Sequence, residues 1–371
     1  MNRLTSDFLR IISIAFVIII HSTSTPELQF QKSLSLISLE GLGVLLNQLA
    51  RFSVPLFILL SGYGFTEKYK KMLFIADSRQ AFPYKDFFKS RLDKIFIPFL
   101  FWTVFLLFFR SDGFSWNQGT GFLQNLINNT TILGKFLTVR SADYHFYFFV
   151  IIIQCYFLYP LLLRLRSKLW ILFFLMVQIL FTAPAHIWFA ELGIPRPRFF
   201  SAFFIYWVFY FYAGIYFSWH RELIRKQIRR LHIGFVLLFA AASFFILMFE
   251  YFSVAVRQID PGNYNHFTRQ SVILYSAAIL LFVLRLEPAL EKLSQKKVNL
   301  LANLAGLSFF VYIFHTWILR FLQNFYSQFL FLSFFTTLIT FTLAFLIYRL
   351  PLTPIILTVL GLPPKTVETK K

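Results

Sequence analysis

Cysteine is almost missing from this chain: Cys155 stands alone, inside an apolar stretch. A single thiol excludes an internal disulfide and any cysteine-rich metal site, and in such surroundings it is expected to be a small buried hydrophobe. Acidic residues are scarce too, 16 against 36 lysines and arginines. No His-x-x-x-His, Glu-x-x-His or carboxylate pair at metal spacing appears, so no metal is expected. Glycine and proline, 14 of each in 371 residues, leave no long linker, and neither an internal repeat nor a low-complexity tail is visible. Charged residues make up only 14%, too few to coat a soluble protein of this size.

What the chain has instead is apolar bulk. Hydrophobic residues make up 58%, 53 of them phenylalanine, and several stretches reach the ~20 residues that cross a bilayer as helix. Ten apolar segments can be drawn, at about 6–24, 42–65, 94–110, 144–163, 169–187, 200–219, 232–251, 270–286, 301–320 and 328–349. Asp7 and Arg10 flank the first, and no Ala-x-Ala site follows it, so it is read as a retained span and not as a cleaved signal. With the N-terminus inside, 26 lysines and arginines fall on the cytoplasmic side and nine outside, with Arg51 within a span. That alternation follows the positive-inside rule. The expected fold is therefore all-α, a polytopic membrane protein of about ten transmembrane helices with both termini cytoplasmic. A single domain, 1–351, is followed by a short cytoplasmic basic tail, 352–371. The basic excess is then topology and attraction to the lipid bilayer, and nucleic acid is not an expected partner.

Polar groups at membrane depth are costly and mark function. Arg10 and His21 lie eleven residues apart, three turns plus about 20°, so they share one face of the first helix. Their axial separation is roughly 16 Å at 1.5 Å per residue. Asp7, one turn before Arg10, is placed to pair with it. In span two, GLGVLLNQLARFSVPLFILLSGYGF, Arg51 lies well inside the outer half, with Asn47 a turn away on the same face. Pro55 is placed to bend that helix, and Ser61, Gly62 and Gly64 allow close backbone approach. Asp143, Tyr144 and His145 open span four. Ser308, Tyr312 and His315 fall at i, i+4 and i+7 on span nine, one polar stripe. His21, Arg51, His145 and His315 all sit at outer depth and Arg10 at inner depth. His186, His220, His232 and His266 are read as loop or edge residues without chemistry.

Taken in order, these pieces resemble the acyltransferase-three family of integral-membrane O-acyltransferases. The resemblance runs from Asp7 and the Arg-x10-His of Arg10 and His21, through RFSVPLFILLSGY (Arg51–Tyr63), RLDKIFIP (Arg91–Pro98) and HFYFF at His145, to VYIFH ending at His315. Two departures stand out. The family's Arg-x-x-Arg is here Arg91-Leu-Asp-Lys94, which loses one guanidinium fork, and its frequent His-x-Trp-Phe is His145-Phe-Tyr-Phe. The resemblance implies transfer of an acyl group, commonly acetyl, from cytoplasmic acyl-CoA (acetyl-CoA first) to a hydroxyl of an envelope or exported glycan, in a bacterial cytoplasmic membrane. On that reading Arg10, Arg91 and Lys94 meet the CoA phosphates. His21 is general base or covalent acyl relay; Arg51 or Tyr312 stabilises the oxyanion, and His315 joins the catalytic set. His145, Tyr147, Asp7 and Ser61 are expected to touch substrate. The rival reading is a transporter or flippase of a glycan or lipid-linked sugar, which also uses intramembrane Arg and His and proline-bent spans. Against it, no paired halves or matching broken helices are seen.

Overall fold

The computed structural model describes residues 1–24, 37–75, 82–110, 113–116, 119–138, 142–182, 192, 200–256, 267 and 269–365. Among them every regular element is helical, as expected. His186 and His266, several of the counted basic residues and the last residues of the tail lie outside this set.

In chain order the helices are α1 (Arg3–Ser22), α2 (Leu39–Leu49), α3 (Ser53–Ile75), α4 (Tyr84–Arg91), α5 (Ile97–Leu107), α6 (Phe122–Thr138), α7 (Tyr147–Leu162) and α8 (Lys168–Leu180). Then follow α9 (Val208–Trp219), α10 (Arg221–Arg230), α11 (Ile233–Ala255), α12 (Gln270–Arg285), α13 (Glu287–Leu290), α14 (Gln295–Gln323), α15 (Phe329–Arg349) and α16 (Pro354–Leu360). Among the described residues six stretches are long and apolar enough to cross a membrane by themselves: α1, α2 with α3, Tyr144–Leu162, α11, α14 and α15. The shorter apolar helices α5, α8, α9 and α12 fall in the other four expected segments. Apolar side chains such as Leu238, Phe245 and Phe249 on α11 and Phe334 on α15 point outward, which is the surface a hydrocarbon solvent accepts.

Local chemistry explains the irregular places. Asn2 caps α1, its side chain accepting from Thr5 N at 2.8 Å, which satisfies a helix-start amide. Between α2 and α3 the chain tightens into a 3-10 turn, Ala50–Phe52. Pro55 has no N–H to close the i−4 bond to Arg51, so the helix is interrupted one turn before it. Pro98 does the same beyond Lys94, and a π turn at Leu92–Phe96 precedes α5.

Helices α3 and α9 meet backbone to backbone. A Cβ at Gly62 would lie 2.1 Å from Phe211 O, and one at Gly214 would lie 2.0 Å from Leu59 O. Small residues do the packing here, as in other membrane helix pairs. Helix α1 is central, packing against α14, α3 and α15, with Leu9, Ile14, Val17 and Ile18 buried. Beyond residue 351, Leu357 and Leu362 are buried in the cluster formed by α1, α5, α7 and α14. Gly361 ends α16 at φ +84°, against Phe309 and Ile313 of α14.

Candidate active site

Three histidines from three elements converge at one end of α1. His21 sits in its last turn, His145 in the 3-10 turn Tyr144–Phe146 that leads into α7, and His315 midway along α14. Ring centroids are 5.3 Å apart for His21 and His315, 5.1 Å for His145 and His315, and 6.4 Å for His21 and His145. His315 is fully buried. Its Nδ1 lies 2.8 Å from Tyr312 O and 3.2 Å from Val311 O; carbonyls only accept, so Nδ1 carries the proton and Nε2 keeps a lone pair. That Nε2 is buried with no hydrogen-bond partner among the described residues. By the same logic His145 Nε2 donates to Ile313 O at 3.3 Å.

Tyr312 donates its hydroxyl to the carbonyl of His145. A phenol has one proton to give, and here it is spent on that carbonyl. The oxyanion role drawn for Tyr312 from sequence does not fit this contact; its ring, 5.2 Å from that of His145, holds the histidine in place instead. Arg51, placed by the 3-10 turn, donates to Asn47 Oδ1. Asn47 in turn donates to Ile20 O at 3.2 Å and Thr23 Oγ1 at 2.9 Å, so Arg51 is tied to the end of α1 that carries His21. It lies close enough to act electrostatically on His21 and on Tyr147.

A second group surrounds the cluster. Asp143 Oδ1 lies 3.8 Å from His145 Nδ1 and 2.5 Å from Arg320 Nη2. Its Oδ2 accepts from Thr316 Oγ1 at 3.1 Å, and Oδ1 accepts from Tyr144 N at 2.8 Å. Burial works against ionisation of Asp143, but the His145 and Arg320 groups beside it prevail and hold its carboxyl below the ordinary range. The Arg320 guanidinium lies over the Tyr144 ring at 5.5 Å, and Tyr144 meets His21 edge-on at 4.8 Å.

At the other end of α1, Arg10 lines a cavity of about 420 Å³ together with Arg3, Asp7, Tyr63, Gly64, Glu67 and Arg221. Asp7 makes an ion pair with Arg3 at 3.7 Å, and Arg10 lies close enough to act on it electrostatically as well. Asn2 N and Thr5 hydrogen-bond Glu287, which also binds Arg225 at 2.8 Å, so this end is docked on α13, itself tied to α10. Arg91 lies over the rings of Phe65 (4.6 Å) and Tyr156 (5.9 Å), and Tyr156 also feels the charge of Arg10. Lys94 is exposed on the π turn.

The structure thus brings His21, His145, His315, Tyr312 and Arg51 together at one depth, and Arg10 and Asp7 at the other. Two expected substrate contacts are otherwise engaged. Ser61 Oγ bonds back to Phe57 O at 3.0 Å within its own helix, and the Tyr147 ring stacks on Phe267 at 5.7 Å. Sequence reading missed the roles of Thr316 and Arg320: five positions after His315, Arg320 falls off the polar stripe. Arg269, counted as an outer-loop charge, is buried and bound to Gln48 Oε1 and Leu247 O. His232 caps α11, its Nδ1 accepting from Gly234 N at 3.1 Å, and His220 Nε2 lies 3.2 Å from Arg166 O. Cys155 is buried. Among the described residues no group of three or more His, Cys, Asp or Glu is placed to hold a metal ion.

A family model described as an acyltransferase domain matches residues 4–349. The chain belongs to the acyltransferase-three family. This acyltransferase is a multi-pass membrane enzyme acting on non-aminoacyl acceptors, and the match runs from the first turn of α1 to the last residue of α15. Comparison with curated proteins and with solved structures gives no match for the acyltransferase.

Proposed function

We propose that this membrane acyltransferase moves an acyl group, acetyl in the first instance, from cytoplasmic acyl-CoA to a hydroxyl of an envelope or exported glycan at the plasma membrane. The observation that carries the reading is the division of α1: Arg10 lines a cavity at one end and His21 joins two further histidines at the other. The two ends are roughly 16 Å apart, a span suited to a CoA whose phosphates stay with Arg10, with Arg91 and Lys94 proposed as further phosphate contacts, while its thin arm carries the thioester to the histidines.

His21 takes the proton of the acceptor hydroxyl as its oxygen attacks the thioester carbonyl. Arg51 offers positive charge to the oxyanion that forms. As the C–S bond breaks, the proton passes to the sulfur, and the Nε2 lone pair of His315 provides a second basic position on its way. Ester and CoA thiol result. In a variant of this route His21 itself first accepts the acyl group and the thiolate leaves before the hydroxyl attacks.

The test is transfer itself. Purified protein in vesicles receives acetyl-CoA labelled on the acetyl group and an envelope glycan extract. Label on the glycan supports the reading. CoA released with label on a lipid or small molecule instead replaces the acceptor class, and intact thioester with acetyl-, succinyl- and longer acyl-CoA removes the donor.

A further inference from the structure

Asp143 does more than cap a turn. Its carboxylate is buried at the head of the 3-10 turn that leads into α7 and engages three groups, two of α14 and one of that turn: Arg320 at 2.5 Å, Thr316 at 3.1 Å and the Tyr144 amide at 2.8 Å. From that anchored position Oδ1 faces His145 Nδ1 at 3.8 Å, an ion pair when Nδ1 carries a proton beside the one that Nε2 gives to Ile313 O. Arg320, held by the same carboxylate, covers the Tyr144 ring, whose edge meets His21. One buried charge therefore restrains two of the three histidines, His145 directly and His21 through Arg320 and Tyr144. A buried carboxylate left without its cation is costly, so the pair holds α7 and α14 in fixed register around the cluster. Arg320 is half exposed at this end, which puts the clamp at the rim of the cluster.

We infer that Asp143, with Arg320 and Thr316, is the positioning residue of the histidine cluster: it sets the ring orientations of His145 and His21 for acyl transfer without touching donor or acceptor. The inference rests on the acyl-transfer reading for its kinetic part only. Residues that orient reacting side chains typically change activity about 10–100-fold when removed.

Asp143→Asn keeps the acceptor for the Tyr144 amide, replaces the oxygen facing Thr316 with an amide N–H that the Thr316 hydroxyl can accept from, and deletes the charge. Measured per folded molecule in CoA release from acetyl-CoA, it is expected to lower kcat about 10–100-fold and to leave KM for acetyl-CoA within about twofold, since the donor phosphates sit at the other end of α1. Arg320→Met should match it, Arg320→Lys should recover most of the loss, and the double variant Asp143→Asn with Arg320→Met should be no worse than either single, as for groups acting as one unit. Thr316→Val, a smaller change in the same contact, should fall between wild type and Asp143→Asn, and covers the case in which the charge variants fail to fold. A readout free of turnover is the ¹⁵N spectrum of labelled histidine, with His145 assigned from a His145→Asn sample: the His145 ring signals should move in Asp143→Asn and return toward wild type in Arg320→Lys compared with Arg320→Met. Full kcat in folded Asp143→Asn, additive losses in the double variant, or unmoved His145 signals would each overturn the inference. Moved signals in a protein that turns over no acyl-CoA would uphold the clamp and reject the acyl-transfer reading instead.

Discussion

Replacing His315 with asparagine separates two things that its ring does. The Nδ1–H binds the carbonyls of Tyr312 and Val311 at 2.8 and 3.2 Å, a structural duty, while the buried Nε2 has no partner among the described residues. An asparagine amide reaches the Nδ1 position and can keep the donor, but it offers no basic nitrogen in place of Nε2. Two ring atoms are lost from a fully buried site, at ~0.8 kcal/mol each, so the stability cost is about 1–2 kcal/mol. A positioned acid–base group contributes about 10²–10⁴-fold to rate, which is about 3–6 kcal/mol at ~1.4 kcal/mol per decade. The chemical loss therefore exceeds the structural one and the two can be told apart. The assay is initial CoA release from acetyl-CoA by detergent-purified protein, normalised to the folded fraction from a melting curve. The expected result is a small drop in melting temperature, KM for acetyl-CoA unchanged and kcat down at least 100-fold. Turnover within twofold of wild type would refute the reasoning, because the lone pair would then have no part in the proton's path.

Other consequences follow from single contacts. Arg10→Ala should raise KM for acetyl-CoA several-fold in steady-state assays, with kcat less affected, because Arg10 lines the cavity and not the histidine cluster. Arg51→Ala should lower kcat about 100-fold, the usual loss when one oxyanion donor is removed; unchanged turnover takes Arg51 out of the mechanism. Gly62→Ala puts a methyl 2.1 Å from Phe211 O, whereas Gly64→Ala meets only Arg10 Nη2 at 3.8 Å. Thermal melts should therefore show loss of several kcal/mol, or of folding, for the first and little change for the second. Asp143, held below the ordinary carboxylate range, should stay charged from neutral pH down through about pH 4. Its stabilisation is fully present above the unfolded value and is lost only as pH falls through the lower folded one. The melting-temperature difference between wild type and Asp143→Asn should accordingly be constant between about pH 5 and 8.

Much of the molecule was legible in the chain because membrane helices carry their own signature. Long apolar runs fixed the helix positions, and the shared face of Arg10 and His21 identified α1 as the helix that joins two depths. The polar stripe of Ser308, Tyr312 and His315 marked a face of α14 that is buried in the fold. What sequence could not give were pairings between distant segments. Asp143 and Arg320 are 177 positions apart, and nothing local distinguishes Arg320 from a snorkelling outer cation. Arg269 was hidden for the same reason, since its partner Gln48 lies 221 residues earlier. Proline was readable only in part: Pro55 announced a bend, but that the break would become a 3-10 turn presenting Arg51 to α1 depends on Asn47 receiving it. Tyr312 shows the limit from the other side, because a phenol on the polar stripe gives no hint that its proton is already committed to a backbone carbonyl.

The central claim, that the histidine cluster at the end of α1 carries acyl transfer from CoA, is tested most directly by His21→Ala beside wild type. Both are reconstituted in vesicles with acetyl-CoA and glycan extract, and free CoA is followed with time. Wild-type protein should release CoA steadily, and His21→Ala protein with the same melting behaviour should release none above the protein-free background. Equal release by the two proteins would contradict the claim.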